Sequence, residues 1–190
     1  MKRLLPVGIQ DFETIRTEGY CYVDKTAILH PLITGSSRAF FLSRPRRFGK
    51  SLLCSTLEAV FEGRRELFRE VAGYPALAID SLEWDWKKYP VIRLDLNAAV
   101  YSRGIEHLNS LLHNSLNNTA RSCGIELRGS FVVEQFANLI LDLRDRSGEK
   151  VVVIIDEYDK PLLETIGKGA LHEAMRDELK GFYSPDRSQD

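Results

Sequence analysis

Five β-branched residues stand in a row from Val151 to Ile155, and the acidic pair Asp156-Glu157 follows at once. A run of this kind, without polar alternation, is typical of a strand buried on both faces in a parallel sheet that helices cover. Ligands of open α/β sheets bind at the carboxyl ends of the strands, which is where the acidic pair lies. The run therefore predicts an α/β fold with two carboxylates at a ligand-binding edge. The plain alternative is a strand that ends in a solvated acidic turn.

A loop rich in arginine and ending in Gly-Lys-Ser spans residues 44–51 (RPRRFGKS). Its last three residues match the phosphate-binding pattern GxxxxGK[ST], while Arg44 stands where that pattern has its first glycine. The apolar run 39–43 predicts a buried strand before the loop, and the apolar spacing over 51–61 predicts a helix after it. This setting directs backbone N–H groups and the positive end of a helix at one point, which suits a polyphosphate. An ordinary Gly-Lys-Ser at a helix start is the alternative.

Together the two patterns predict a nucleotide site that uses ATP and Mg²⁺, because each follows a predicted strand and they occur in the required order. Lys50 is expected to reach the β- and γ-phosphates, and Ser51 and Asp156 are expected to ligate the metal. Glu157 is the expected catalytic residue, which orients and polarises the attacking water. The residues expected to hold the nucleotide are Arg47, Phe48, Gly49, Lys50, Ser51 and Leu52.

The rest of the chain alternates strand and helix patterns. A second strand is predicted over 91–96, and helices are predicted around 105–116, 133–143 and 171–182. The expected fold is an α/β P-loop NTPase, a three-layer sandwich with a mainly parallel sheet. We expect an N-terminal segment over 1–38 and the P-loop NTPase domain over 39–190.

Composition excludes several classes of protein. The 190 residues carry a formal net charge of -1, which calls for neither nucleic acid nor an anionic membrane as partner. The three cysteines are widely spaced, so no zinc ribbon or disulfide framework is indicated. No apolar stretch approaches the roughly 20 residues of a membrane span, and a cytoplasmic protein is expected. Trp84 and Trp86 are interpreted as core residues, with an adenine platform as the alternative.

Five stretches resemble the prokaryotic AAA-ATPase-like family, and the resemblance extends from residue 5 to about 183. The stretches are 5–12 (LPVGIQDF), 22–26 (YVDKT), 41–51 (FLSRPRRFGKS), 89–95 (YPVIRLD) and 155–161 (IDEYDKP). The resemblance implies ATP binding, and Arg44 is no departure within this family. The resemblance also implies an attached nuclease-like domain of the PD-(D/E)XK type. Nucleic acid is an expected partner only because of this family resemblance. A protein partner or an oligomer stays open.

Family members continue beyond the point where residues 185–190 (PDRSQD) end this sequence. The resemblance therefore implies a truncated ATPase whose sheet is incomplete at the C-terminus, before the strand that bears the sensor residue. Three interpretations stay open: an ATPase domain that switches an attached module or a partner, a module that binds ATP without turnover, and a non-functional remnant.

Overall fold

In the computed structural model, which describes residues 4–43, 45, 48–71 and 73–183, α-helices dominate and two β-strands form the sheet. Four short 3₁₀ helices lie at Thr26–Leu29, Arg65–Leu67, Ala78–Ser81 and Tyr101–Arg103. The α-helices are α1 Phe12–Thr17, α2 His30–Thr34, α3 Lys50–Phe61, α4 Ile105–Ser122, α5 Val132–Ser147, α6 Lys160–Thr165 and α7 Ala170–Tyr183, and the strands are β1 Val91–Asp95 and β2 Val152–Asp156.

The chain divides into two units, Met1–Tyr89 and Pro90–Asp190. In the first unit, α1 packs against α3 around an apolar core. Asp11 caps α1 by accepting a hydrogen bond of 2.7 Å from the Thr14 N–H. The core residues are Phe12, Leu29, Ala59, Val60, Leu67, Phe68, Leu77, Ile79 and Trp86. Trp86 therefore belongs to the core, as predicted.

Polar groups connect the loops of the first unit. The buried guanidinium of Arg16 donates to the backbone carbonyls of Leu67, Arg69 and Pro75 at 2.8, 2.8 and 3.1 Å. The carboxylate of Asp24 accepts from the N–H groups of residues 26 and 78. Burial by itself would raise the pKa of Asp24, but these hydrogen bonds outweigh it and hold the pKa below its usual value. Both side chains tie the segment before α3 to the loop that follows it.

The second unit is built on two parallel strands. β1 and β2 pair with Val91 opposite Val152 and Asp95 opposite Asp156. Helices α4, α5 and α7 supply most of the core, which holds Ile92, Leu94, Leu96, Tyr101, Leu108, Leu112, Leu116, Ala120, Val132, Phe136, Leu139, Leu143, Met175, Leu179 and Phe182. The mixed α/β class and the parallel pairing agree with the sequence prediction, and the three-layer P-loop sandwich stays a prediction.

The predicted buried strand over 39–43 is wrong. These residues have no regular secondary structure, and Phe40, Phe41 and Leu42 are 53%, 70% and 42% exposed. Apolar and aromatic residues favour an extended chain, but a strand also needs a neighbouring strand for its backbone hydrogen bonds. The sheet ladder in the described part of the chain joins β1 to β2 and does not include this segment.

The expectation that β2 is buried on both faces is also wrong. Ile154 and Asp156 are buried, at 8% and 3% exposure, whereas Val153 is 36% exposed. Within the described residues β2 has a strand neighbour on one side only, so it lies at an edge. An edge strand lacks part of the cover that a central strand has.

The chain passes from the first unit to the second after Tyr89, and the predicted division into 1–38 and 39–190 stays a prediction. None of the helices described is both long enough and apolar enough to cross a membrane.

Candidate functional site

Gly49 belongs to the loop 44–51, which is expected to bind phosphate. It is the residue before α3 and has φ 76° and ψ 25°, a left-handed conformation. Its carbonyl accepts the N–H of Leu53 at 3.0 Å, which closes the first turn of the helix. Glycine adopts this conformation without the steric penalty that a Cβ brings. The sequence thus places a glycine where the backbone requires one.

Lys50, Ser51 and Leu52 form the first turn of α3 and are half-buried, while Phe48 before them is 63% exposed. The first N–H groups of an α-helix have no partner inside the helix, and they lie at the positive end of its dipole. A cationic lysine and a hydroxyl at this end suit a phosphate and its metal ion. The residues present therefore fit the phosphate part of a nucleotide. Arg47, with Arg44 and Arg46, lies outside the described residues.

Ser55 holds α3 in place one helical turn after Ser51. Its hydroxyl accepts the N–H of Phe12 at 2.9 Å and donates to the carbonyl of Gln10 at 3.0 Å. Ser55 is buried, with 4% exposure. These bonds attach the helix to the segment that enters α1, so the start of α3 rests on a packed part of the first unit.

Asp156 ends β2 in the second unit and is 3% exposed. Its Oδ1 accepts the N–H of Glu157 at 3.0 Å, and its carbonyl accepts the N–H of Leu96 at 3.1 Å. A carboxylate has about four lone-pair positions, so one hydrogen bond leaves it able to ligate a cation. This buried acid at a strand end fits the predicted metal ligand.

Glu157 follows with φ 53°, one of two described residues other than glycine with positive φ. A left-handed backbone is unfavourable for a residue that has a Cβ, and such conformations cluster at functional sites. Its side chain is half-buried. The carboxylate of Glu157 is thus carried by a turn of unusual geometry directly beside Asp156.

The sequence patterns assigned no catalytic or binding role to the residues that surround this pair in the second unit. Asp95 ends β1 opposite Asp156, and its Oδ1 accepts the N–H of Asn97 at 2.8 Å. Lys160 Nζ donates to the Oδ1 of Asn97 at 2.9 Å. The rule that carboxyl ends of parallel strands share an edge could have identified Asp95. The contact between Lys160 and Asn97 has no signal in the sequence.

In the described part of the chain, no group of three or more His, Cys, Asp or Glu residues could hold a metal ion. Magnesium at nucleotide sites usually takes one or two carboxylates together with phosphate oxygens, and keeps several waters. The predicted metal ligand Ser51 lies in the first unit with the other phosphate-loop residues. The predicted metal ligand Asp156 lies in the second unit with Glu157.

The family model of AAA-ATPase-like proteins, described as "Predicted AAA-ATPase", matches residues 6–190. The chain is also similar to an uncharacterised protein in the vnfD 5′ region of Azotobacter chroococcum mcd 1, with 36% identity over 191 residues. That match covers 100% of this chain and 35% of the relative, so the chain spans about a third of the relative's length. No solved structure matches the chain.

Proposed function

The chain belongs to the AAA-ATPase-like family, and from that premise we propose that it is a P-loop domain that binds ATP with Mg²⁺. Membership implies nucleotide binding in general, and the choice of ATP and of the residues that hold it is the proposal. One observation carries it: Gly49 is left-handed directly before a helix of 12 residues that begins with Lys50 and Ser51. This is the backbone and side-chain chemistry that a polyphosphate needs.

In this proposal the phosphates lie against the start of α3. Backbone N–H groups of residues 48–52 donate to phosphate oxygens, and Gly49 lets the backbone approach them closely. Lys50 adds a mobile positive charge for the terminal phosphates. The first turn of the helix thus supplies both hydrogen bonds and charge.

The acidic pair completes the proposed chemistry. A bound magnesium ion would neutralise phosphate charge, and Ser51 and Asp156 are the residues we assign to it. Glu157 accepts a hydrogen bond from a water molecule, orients it and draws electron density from its O–H bond. Catalysis of phosphoryl transfer requires mainly that the protein position the reactants and neutralise the phosphate charge. In this proposal these side chains do both.

The family resemblance extends the proposal to an attached nuclease-like module or a partner that responds to the nucleotide, with nucleic acid as its substrate. The match to a relative about three times longer is compatible with such a module. Titrating the protein into a fluorescent DNA duplex, with and without ATP, would test this part by measuring whether the nucleotide changes the affinity for DNA. An affinity unaffected by ATP would count against coupling.

Calorimetric titration with ATP and Mg²⁺ tests the assignment of Lys50. Lys50→Ala should lose one charge-assisted phosphate contact, worth about 1.5–3 kcal/mol, and hence roughly ten- to a hundredfold in affinity. Lys88→Ala is the matched control, since Lys88 is an exposed lysine of the same unit. If both variants bind ATP as tightly as the unaltered chain, Lys50 is not a phosphate ligand.

Glu157→Gln separates an ATPase from a module that only binds ATP. The amide has nearly the same shape as the carboxylate but can neither act as a base nor carry the charge that polarises water. We expect ATP affinity to be retained and hydrolysis to be abolished, measured by calorimetry and by phosphate release. An unaltered chain that binds ATP without releasing phosphate would favour the binding-only function. A glutamine variant with undiminished turnover would make Glu157 a structural strand end.

A further inference from the structure

The turn formed by residues 157–160 begins at the second residue of the acidic pair and ends at Lys160. The backbone N–H of Lys160 donates to the carbonyl of Glu157 at 3.0 Å, and α6 begins at this residue. Glu157 has φ 53°, which a residue with a Cβ adopts only where surrounding contacts impose it. The contacts of this turn therefore decide the conformation of Glu157.

The side chain of Lys160 connects the turn to the loop that follows β1. Its ammonium donates to the backbone carbonyl of Asn97 and, at 2.9 Å, to the Oδ1 of the same residue. It also lies 3.5 Å from a carboxylate oxygen of Glu164, one helical turn further along α6. The side chain of Lys160 is 22% exposed, so most of it is withdrawn from water.

Both partners of Lys160 are themselves attached to other parts of the second unit. Asn97 donates its N–H to Asp95 at the end of β1, and Glu164 accepts the N–H of Tyr101 at 3.1 Å. The aromatic ring of Tyr101 is fully buried in the core of this unit. The ammonium of Lys160 therefore joins the end of β1, the following loop and α6.

We propose that Lys160 is a positioning residue for the acidic pair. Its backbone holds the carbonyl of Glu157, and its ammonium attaches the turn to the loop after β1, so that Glu157 stays left-handed. In this conformation the N–H of Glu157 donates to Asp156 Oδ1, which orients the carboxylate assigned to the metal. The consequence for magnesium rests on the proposed function, whereas the control of the backbone of Glu157 does not.

An ordinary surface ion pair between Lys160 and Glu164 is the alternative. Pairs of this spacing on a helix contribute little to stability, and such a pair would act independently of the backbone at residue 157. The two interpretations therefore predict different coupling between residues 157 and 160.

A double-mutant cycle measured by thermal unfolding of the whole chain tests the coupling. Lys160→Met should lower the melting temperature of the unaltered chain by several degrees. In a chain that already carries Glu157→Gly, the same substitution should lower it by less than half as much, because glycine adopts φ 53° without supporting contacts. Lys160→Gln provides a milder change should the methionine variant fail to fold. Lys168→Met is the matched control, since Lys168 Nζ donates to the Ser102 carbonyl at 3.3 Å, away from the turn. If Lys160→Met lowers the melting temperature equally with and without Glu157→Gly, the proposal is overturned.

The ratio of ATP affinities with Mg²⁺ and with a chelator provides a readout that general destabilisation would leave unchanged. Lys160→Met should lower this ratio about tenfold, the lower end of losses seen when a residue behind a metal ligand is removed. Lys160→Arg should restore part of it, and Lys168→Met should leave it unchanged. An unchanged ratio in Lys160→Met would refute the role toward the metal. A chain that binds no ATP at all would overturn the proposed function, and the thermal cycle would still decide whether Lys160 holds the turn.

Discussion

Two residues of the proposed site, Gly49 and Glu157, have left-handed backbones, and the free-energy cost of this conformation differs between them. Gly49, before α3, has φ 76° and no Cβ to strain. Glu157, after β2, has φ 53° and must be held by neighbours, of which Lys160 and Asp156 are two. At position 49 the left-handed conformation adds little strain, because glycine has no Cβ. At position 157 the glutamate places a carboxylate directly after the strand, but its backbone is strained.

Gly49→Ala should weaken ATP binding more than it weakens the fold. A Cβ at Gly49 would meet no atom within 4 Å, so the loss of stability should come from the positive φ alone, about 1 kcal/mol, or roughly 2–4 °C in melting temperature. In the proposed site the same Cβ would lie where the phosphates approach the backbone, so ATP affinity should fall by about tenfold or more, as a lost phosphate contact would cause.

Gly148→Ala is the matched control for Gly49→Ala. Gly148 follows α5, has φ 70° and likewise meets no atom within 4 Å of an added Cβ. It should lose similar stability with unchanged ATP affinity in calorimetric titration. Similar affinity losses in both variants would mean that the effect at Gly49 is not local.

At the scale of elements, α3 depends on contacts made beyond its first turn. The residues proposed to bind phosphate lie at its start, but Ser55 and the core residues Ala59 and Val60 fix its position in the first unit. The helix is therefore a core element as well as the proposed ligand-binding element. A change inside the core can move the binding end without touching it.

Ser55→Ala should destabilise the first unit and weaken ATP binding indirectly. It would leave the N–H of Phe12 without its acceptor in a buried position, which costs about 1–3 kcal/mol. We expect a melting temperature lower by several degrees and a modest loss of ATP affinity. Ser81→Ala, which removes an exposed hydroxyl that donates to the Ala78 carbonyl, should change neither. If Ser55→Ala melts like the unaltered chain, the hydroxyl does not anchor α3.

At the scale of the whole molecule, each unit has an apolar core of its own, and the described sheet has two strands. β2 leaves one edge without a strand neighbour in the described part of the chain, and Val153 on this strand is 36% exposed. Unpaired strand edges with apolar side chains are templates for association. The edge of β2 is therefore the expected route of self-association.

Val153→Lys should reduce concentration-dependent association, because a charged side chain on an edge strand opposes pairing with another chain. Light scattering across a concentration series would measure it, with thermal unfolding to show that the fold is kept. Val100→Lys is the control for added charge alone, since Val100 is 46% exposed and lies outside both strands. Equal effects from both substitutions would argue against the strand edge.

Local patterns predicted the four longest α-helices and both strands. Apolar spacing identified α3, α4, α5 and α7, a β-branched run identified β2, and the apolar segment that follows Pro90 identified β1. Helical periodicity and strand propensity are properties of neighbouring residues, so they can be read from the sequence. The sequence also determined that a helix begins at Lys50 directly after Gly49, and that Asp156 ends a strand with Glu157 directly after it.

Only the tertiary structure decided what depends on residues far apart in the chain. Segment 39–43 has the composition of a strand, yet a strand forms only where another strand offers hydrogen bonds. Likewise Lys160 contacts Asn97 across 63 positions, and this contact bears on the left-handed turn at Glu157. Sequence patterns report the preferences of a segment, whereas pairing, burial and backbone strain depend on partners that folding brings to it.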